Sequence, residues 1–154
     1  AASDVYKRQT LHRSAARLML DWAKEKKSSI ILSSVTVKGT TGTKIFGVAS
    51  TGNARGKLVS AGITIVENAT VPGISGVLLN EGMLRGQDVI VLLVSSDKEF
   101  PDFQATSNLC NSLSKLVPGV SCNLDKIEKE SKIIEQQIRQ AENDTKDLTD
   151  NMYR

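Results

Sequence analysis

The chain has 154 residues, 40% of them hydrophobic and 24% charged, which is one domain's worth of core at ordinary globular composition. An aromatic fraction of 4% leaves the core to Val, Ile, Leu and Ala and removes the stacking platforms that single-strand nucleic-acid binders use. The net charge is only +3, with seven Lys/Arg against three Asp/Glu over 1–27 and six against eight over 123–154, so no basic reading patch forms and nucleic acid is not an expected partner.

No apolar run reaches the ~18 residues that would span a membrane. No apolar signal core follows the basic residues near the N-terminus, so a cytoplasmic protein is expected. Ala1 to Gln9 is polar, shows no clear period and resembles translated adapter sequence. The chain also lacks an initiator Met, so the gene is expected to begin upstream, with residues 1–9 foreign or disordered. Thr10 to Lys27 reads as a helix whose Leu11, Ala15, Leu18 and Trp22 share one face, with lysines at the negative end of its dipole. Ser29–Val37 reads as a strand rich in β-branched residues, Gly39–Thr43 as a loop, and Lys44–Ser50 as a second strand. A short helix over Asn53–Ala61 and a short strand over Ile63–Val66 follow. Val71–Gly76 is a tight turn feeding a helix that runs to about Arg85, where Gly86 suits the C-cap. Asp88–Val94 is a continuous apolar run, the pattern of a strand buried on both faces. A helix from about Asp102 to Leu116 ends at Pro118-Gly119.

Strands alternating with helices predict an α/β fold, a mostly parallel sheet flanked by helices. Ligand sites in such sheets lie at strand carboxyl ends, here the loops at 38–43, 67–75 and 95–101. From Leu124 to Leu148 the residues Leu124, Ile127, Ser131, Ile134, Ile138, Ala141, Thr145 and Leu148 recur at steps of three and four, a heptad-like stripe on a long helix. That helix either docks on its own sheet or helps to assemble an oligomer. The organisation expected is therefore a partial α/β domain over 10–122, an amphipathic helix over 123–148 and a flexible tail over 149–154.

Candidate chemistry is sparse. Gly39 to Lys44 has the composition of a phosphate loop without its spacing, and it leads into a strand rather than a helix. Backbone N–H groups after Pro72-Gly73 could receive an anion, but a tight strand-to-helix turn also needs glycines. Ser75 is not in a nucleophile elbow, and the one histidine, His12, reads as solvent-facing on the first helix. Asp97, Glu99 and Asp102 cluster near a strand end, where Asp102 is better read as a helix cap than as an acid–base group. Cys110 and Cys122 read as two ordinary thiols in a reducing compartment, and no metal or cofactor is expected. The tail ends Met152-Tyr153-Arg154, which sets an apolar anchor and a phenol beside the terminal carboxylate; carboxylate capture is an established recognition mode.

The stretch from about Leu11 to Gln140 resembles the proteasome assembly chaperone family in its archaeal form. The resemblance is carried by Leu20-Asp21-Trp22-Ala23, by Lys44–Ala49, by the turn Val71-Pro72-Gly73-Ile74-Ser75-Gly76-Val77-Leu78-Leu79, by Val89–Leu93, and by Phe100-Pro101-Asp102. Some members end in a hydrophobic residue, a tyrosine and any last residue, which Met152, Tyr153 and Arg154 match. The resemblance implies a homo-oligomeric, non-enzymatic protein that docks this tail between the α-subunits of the core proteasome, as an assembly chaperone, an activator or both. Members usually carry a further strand–helix region before this point, which implies an N-terminally truncated chain. The alternative is a module or enzyme that binds a small ligand, a nucleoside or an anion, at the strand-end loops.

Overall fold

The structure, a computed structural model, describes residues 2–38, 44–96 and 102–152, with side chains from residue 7 to residue 146. Among these described residues nine elements follow in order: α1 (Ala2–Glu25), β1 (Ile31–Lys38), β2 (Lys44–Ala49), α2 (Gly52–Ser60), β3 (Thr64–Ile65), α3 (Gly73–Arg85), β4 (Val89–Ser96), α4 (Phe103–Leu116) and α5 (Leu124–Met152). The strands form one sheet in the order β1-β4-β2-β3. β1 pairs with β4 in parallel over eight residues and β2 with β3 in parallel over two, whereas β2 runs antiparallel to β4. The sheet is thus mostly parallel by pairing, with one reversal at its centre.

All eight residues of β4 are buried, and they serve two cores by alternation. Val89, Val91 and Leu93 meet Ala16 and Leu20 of α1 and Leu78 of α3. Ile90 and Leu92 meet Ala54 and Leu58 of α2 on the opposite face, where Leu109 and Leu113 of α4 complete the layer. The result is three layers, helices on both faces of the sheet. Gly47 lets α2 press on β2: an ideal Cβ there would lie 2.5 Å from Leu58 Cδ2.

Local chemistry accounts for the boundaries. The Thr51 hydroxyl accepts from the Ala54 N–H at 3.1 Å and caps α2, while it donates to the Asp88 carboxylate that precedes β4. Gly86 closes α3 in the left-handed conformation with φ of 65°, as its position predicted. The Asp102 carboxylate accepts from the Ala105 N–H at 3.0 Å and from Ser96 Oγ at 2.5 Å, so it caps α4. Two boundaries lie beyond their expected places. α1 reaches back to Ala2, eight residues before Thr10, and α5 continues through Met152.

The cysteines correct an expectation. Cys110 and Cys122 form a disulfide, with Cα atoms 5.8 Å apart. Cys110 is buried on the last turns of α4. The chain then reverses at Pro118-Gly119, with Gly119 at φ of 88°, and brings Cys122 back beside it. Sequence spacing does not reveal that reversal, and these two residues no longer argue for a reducing compartment. With a sequence separation of 12, reduction or Cys110→Ser is expected to cost about 3 kcal/mol by the chain-entropy estimate. Thermal melts with and without reductant check this; identical melts would refute it.

Candidate interaction surface

The turn that carries the family resemblance is built for packing. Pro72 holds an extended N-cap position without a side-chain cap, and Gly73 takes a positive φ of 67° that an L side chain rarely adopts. Ile74 packs against the core shared by α1, α3 and the sheet. Ser75 is buried, and its hydroxyl lies 2.8 Å from the Ser33 hydroxyl of β1. At Gly76 an ideal Cβ would sit 2.0 Å from the Val71 carbonyl oxygen, so only hydrogen fits. The Ser75–Ser33 contact ties the start of α3 to β1. The Ser75 hydroxyl is thus spent on another hydroxyl, in a turn that positions the start of α3.

The strand-end loops are not one cluster. β1 and β4 run parallel, so their carboxyl ends share an edge of the sheet. β3 follows β2, which is antiparallel to β4, and therefore ends at the opposite edge. The loop at 67–75 thus leaves from one edge and the loops at 38–43 and 95–101 from the other. Residues 39–43 and 97–101, with Asp97 and Glu99 among them, lie outside the described residues. His12 is half-buried rather than solvent-facing, beside a hollow that Arg13, Gly73, Gly76 and Asn80 also line. Among the described residues, no group of three or more His, Cys, Asp or Glu could hold a metal ion.

The stripe predicted for α1 points the other way. Leu11, Leu18 and Trp22 are 67%, 71% and 61% exposed, while Ala16, Leu20 and Ala23 are buried. Spacing alone allows either face. Packing selects the one with two alanines, because small side chains let α1 lie close along α3. The same face brings arginines to Glu81, a carboxylate on α3 that is 5% exposed. Arg17 reaches it at 3.1 Å and Arg13 at 3.5 Å, with Arg85 at 4.0 Å on its own helix. Arg85 also meets Asp21 of α1 at 2.6 Å. Burial of Glu81 is thus offset by guanidinium groups whose outer ends stay in water. The exposed apolar residues of α1, with Met83 and Leu84 of α3, remain as uncovered hydrophobic surface.

α5 is the second exposed apolar element. Of the domain it meets chiefly α4. Ile133, Ile134 and Ile138 are all at least 39% exposed. The side chain of Met152 lies outside the described residues, as do Tyr153 and Arg154 altogether.

A family model described as the PAC2 family matches residues 8–142, nearly the whole chain. The chain belongs to the PAC2 family. None of the curated protein sequences matches it. Among solved structures, this PAC2 chain is similar to PbaA of Pyrococcus furiosus, described as an archaeal homolog of proteasome-assembly chaperone, with a TM-score of 0.74 at 24% identity. That match covers 94% of this chain and 62% of PbaA. It is also similar to PbaB of the same organism, described as an archaeal proteasome activator, with a TM-score of 0.64 at 22% identity over 85% of this chain and 58% of PbaB. A PAC2 family protein of Streptomyces avermitilis matches with a TM-score of 0.65 at 19% identity, over 84% of this chain and 56% of that one. The PAC2 chain therefore spans about three fifths of the length of these structures. At such identities the likeness establishes the shared fold. No helix among the described residues is long and apolar enough to cross a membrane.

Proposed function

We propose that this PAC2 chain is a proteasome-binding protein, an assembly chaperone or an activator, that docks Met152-Tyr153-Arg154 into pockets between the α-subunits of the core proteasome. The observation that carries the reading is the family match over 8–142, together with fold likeness to proteins described as a proteasome-assembly chaperone homolog and a proteasome activator. Helix α5 supports it. Its 29 residues extend about 43 Å at 1.5 Å per residue, long enough to carry a C-terminal key away from the domain. The terminal carboxylate would meet a pocket cation, Met152 an apolar wall, and Tyr153 a hydrogen-bond acceptor.

The test is a pull-down of purified archaeal core proteasome by the full chain and by a chain ending at Asn151. Retention by the full chain alone is the expected result. Equal retention by both would place the interface on the globular domain and refute tail docking.

The exposed apolar residues of α1 and α3 support self-association, which would present several tails to one ring and raise avidity. Sedimentation of the full chain is expected to show a multimer that Leu18→Glu with Trp22→Glu disperses. A monomer at every concentration reached would count against this.

A further inference from the structure

The apolar stripe of α5 has flanks of one sign. With Leu124 at position a of a heptad, the seam in the described residues is Ile127, Ser131, Ile134, Ile138, Ala141 and Thr145. The bordering e and g positions hold Glu128, Glu130, Glu135, Gln137, Glu142 and Asp144: five acids and no base. The bases of the helix, Lys126, Lys129, Lys132, Arg139 and Lys146, fall on its far side. Two of the acids are engaged within the helix, Glu130 with Lys126 at 3.8 Å and Glu128 with Lys132 at 2.6 Å. The hydrogen bond and charge of Glu128 raise the pKa of Lys132 above its usual value. Glu135, Glu142 and Asp144 make no ion pair within 4.0 Å among the described residues. They border the stretch where Ile138, Ala141 and Thr145 line a shallow apolar hollow.

This arrangement decides against a second copy of the same helix. In a parallel pair, each g residue faces the e residue of the next heptad, which sets Glu130 against Glu135 and Gln137 against Glu142. In an antiparallel pair, e faces e and g faces g, again acid against acid or amide. Neither direction offers an attractive pair, and like charges there oppose association. Burying the isoleucines still favours some occupant.

We infer that the stripe of α5 is a docking face for a helix of a different protein, one with an apolar seam bordered by Lys or Arg. The seam supplies contact area, and the flanks select the partner by charge. This face lies along the side of α5 and is independent of the proposed key at its end.

The test uses the full chain and two designed helical peptides of about four heptads with identical Ile/Leu seams, one with Lys at every e and g position and one with Glu. Titration calorimetry is expected to show binding of the Lys-flanked peptide and at least about tenfold weaker binding of the Glu-flanked one. Replacing Glu135, Glu142 and Asp144 by Lys is expected to reverse that preference. Ile134→Asp with Ile138→Asp is expected to abolish binding with an unchanged circular dichroism melt, because both side chains are substantially exposed. Three outcomes would overturn the inference: equal affinity for both peptides, binding by neither, or undiminished Lys-flanked binding by the double Asp variant, which would reduce the effect to charge alone. Self-association of the chain lost in that same variant would also overturn it, by making a second copy the occupant.

Discussion

Gly76→Ala is expected to lower the unfolding free energy by about 3 kcal/mol or more, read from the urea midpoint at unchanged slope. The new Cβ would lie 2.0 Å from the Val71 carbonyl oxygen and 3.0 Å from its carbon. Both are backbone atoms, so no side-chain rotation relieves the overlap; the start of α3 must move. That movement would also separate Ser75 from Ser33 and leave two hydroxyls of the α3–β1 contact without each other. The control is Gly56→Ala within α2, where nothing lies within 4 Å of the added carbon. There alanine's better helix propensity is expected to add roughly 0.5–1 kcal/mol. If the two substitutions behaved alike, the tight approach at the α3 start would be wrong.

Leu58→Ala is expected to cost about 3–4 kcal/mol, since the side chain is fully buried against Ile90 and Leu92 and its removal leaves a cavity beneath α2. Gly47→Ala alone is expected to cost about 1–3 kcal/mol, because its Cβ would meet the Leu58 methyl groups at 2.5 and 2.7 Å. Together they should cost less than their sum, as the methyl added at 47 enters the space vacated at 58. A double-mutant cycle in denaturant measures the coupling, and strict additivity would contradict the contact. This pair examines the α2 face of the sheet as Gly76 examines the α3 face.

Much of the architecture is legible one element at a time. The apolar run of β4 announces a strand buried on both faces, Gly86 a left-handed helix end, and Asp102 a cap, because each rests on local chemistry. What the sequence leaves open are choices made between elements. Leu11, Ala15, Leu18 and Trp22 satisfy helical spacing as well as Ala16, Leu20 and Ala23 do, and only the docking of α1 on α3 selects the second set. β2 has the same pattern whichever way it runs, so its reversal against β4 is invisible in its residues. The bond between Cys110 and Cys122 depends on a reversal at Gly119, not on their spacing. The glycines of the turn at Gly73–Gly76 are visible in the sequence, but the fold of the turn back on Val71 and the Ser75–Ser33 contact with β1 emerge only from the structure.

The position of β4 also bears on how the chain is made. The strand that joins β1 to β2 is synthesised after both, since Ile31 must await Val89 and Ala49 must await Ile90. Among the described strands, only β2 and the two residues of β3 can pair before β4 is delivered. The two halves of this sheet therefore have no common strand until β4 emerges. Both hydrophobic cores also depend on side chains of β4, so neither can close earlier. Folding of these layers should then await β4 and be limited by long-range pairing, with α1 and α2 waiting as exposed segments on the ribosome.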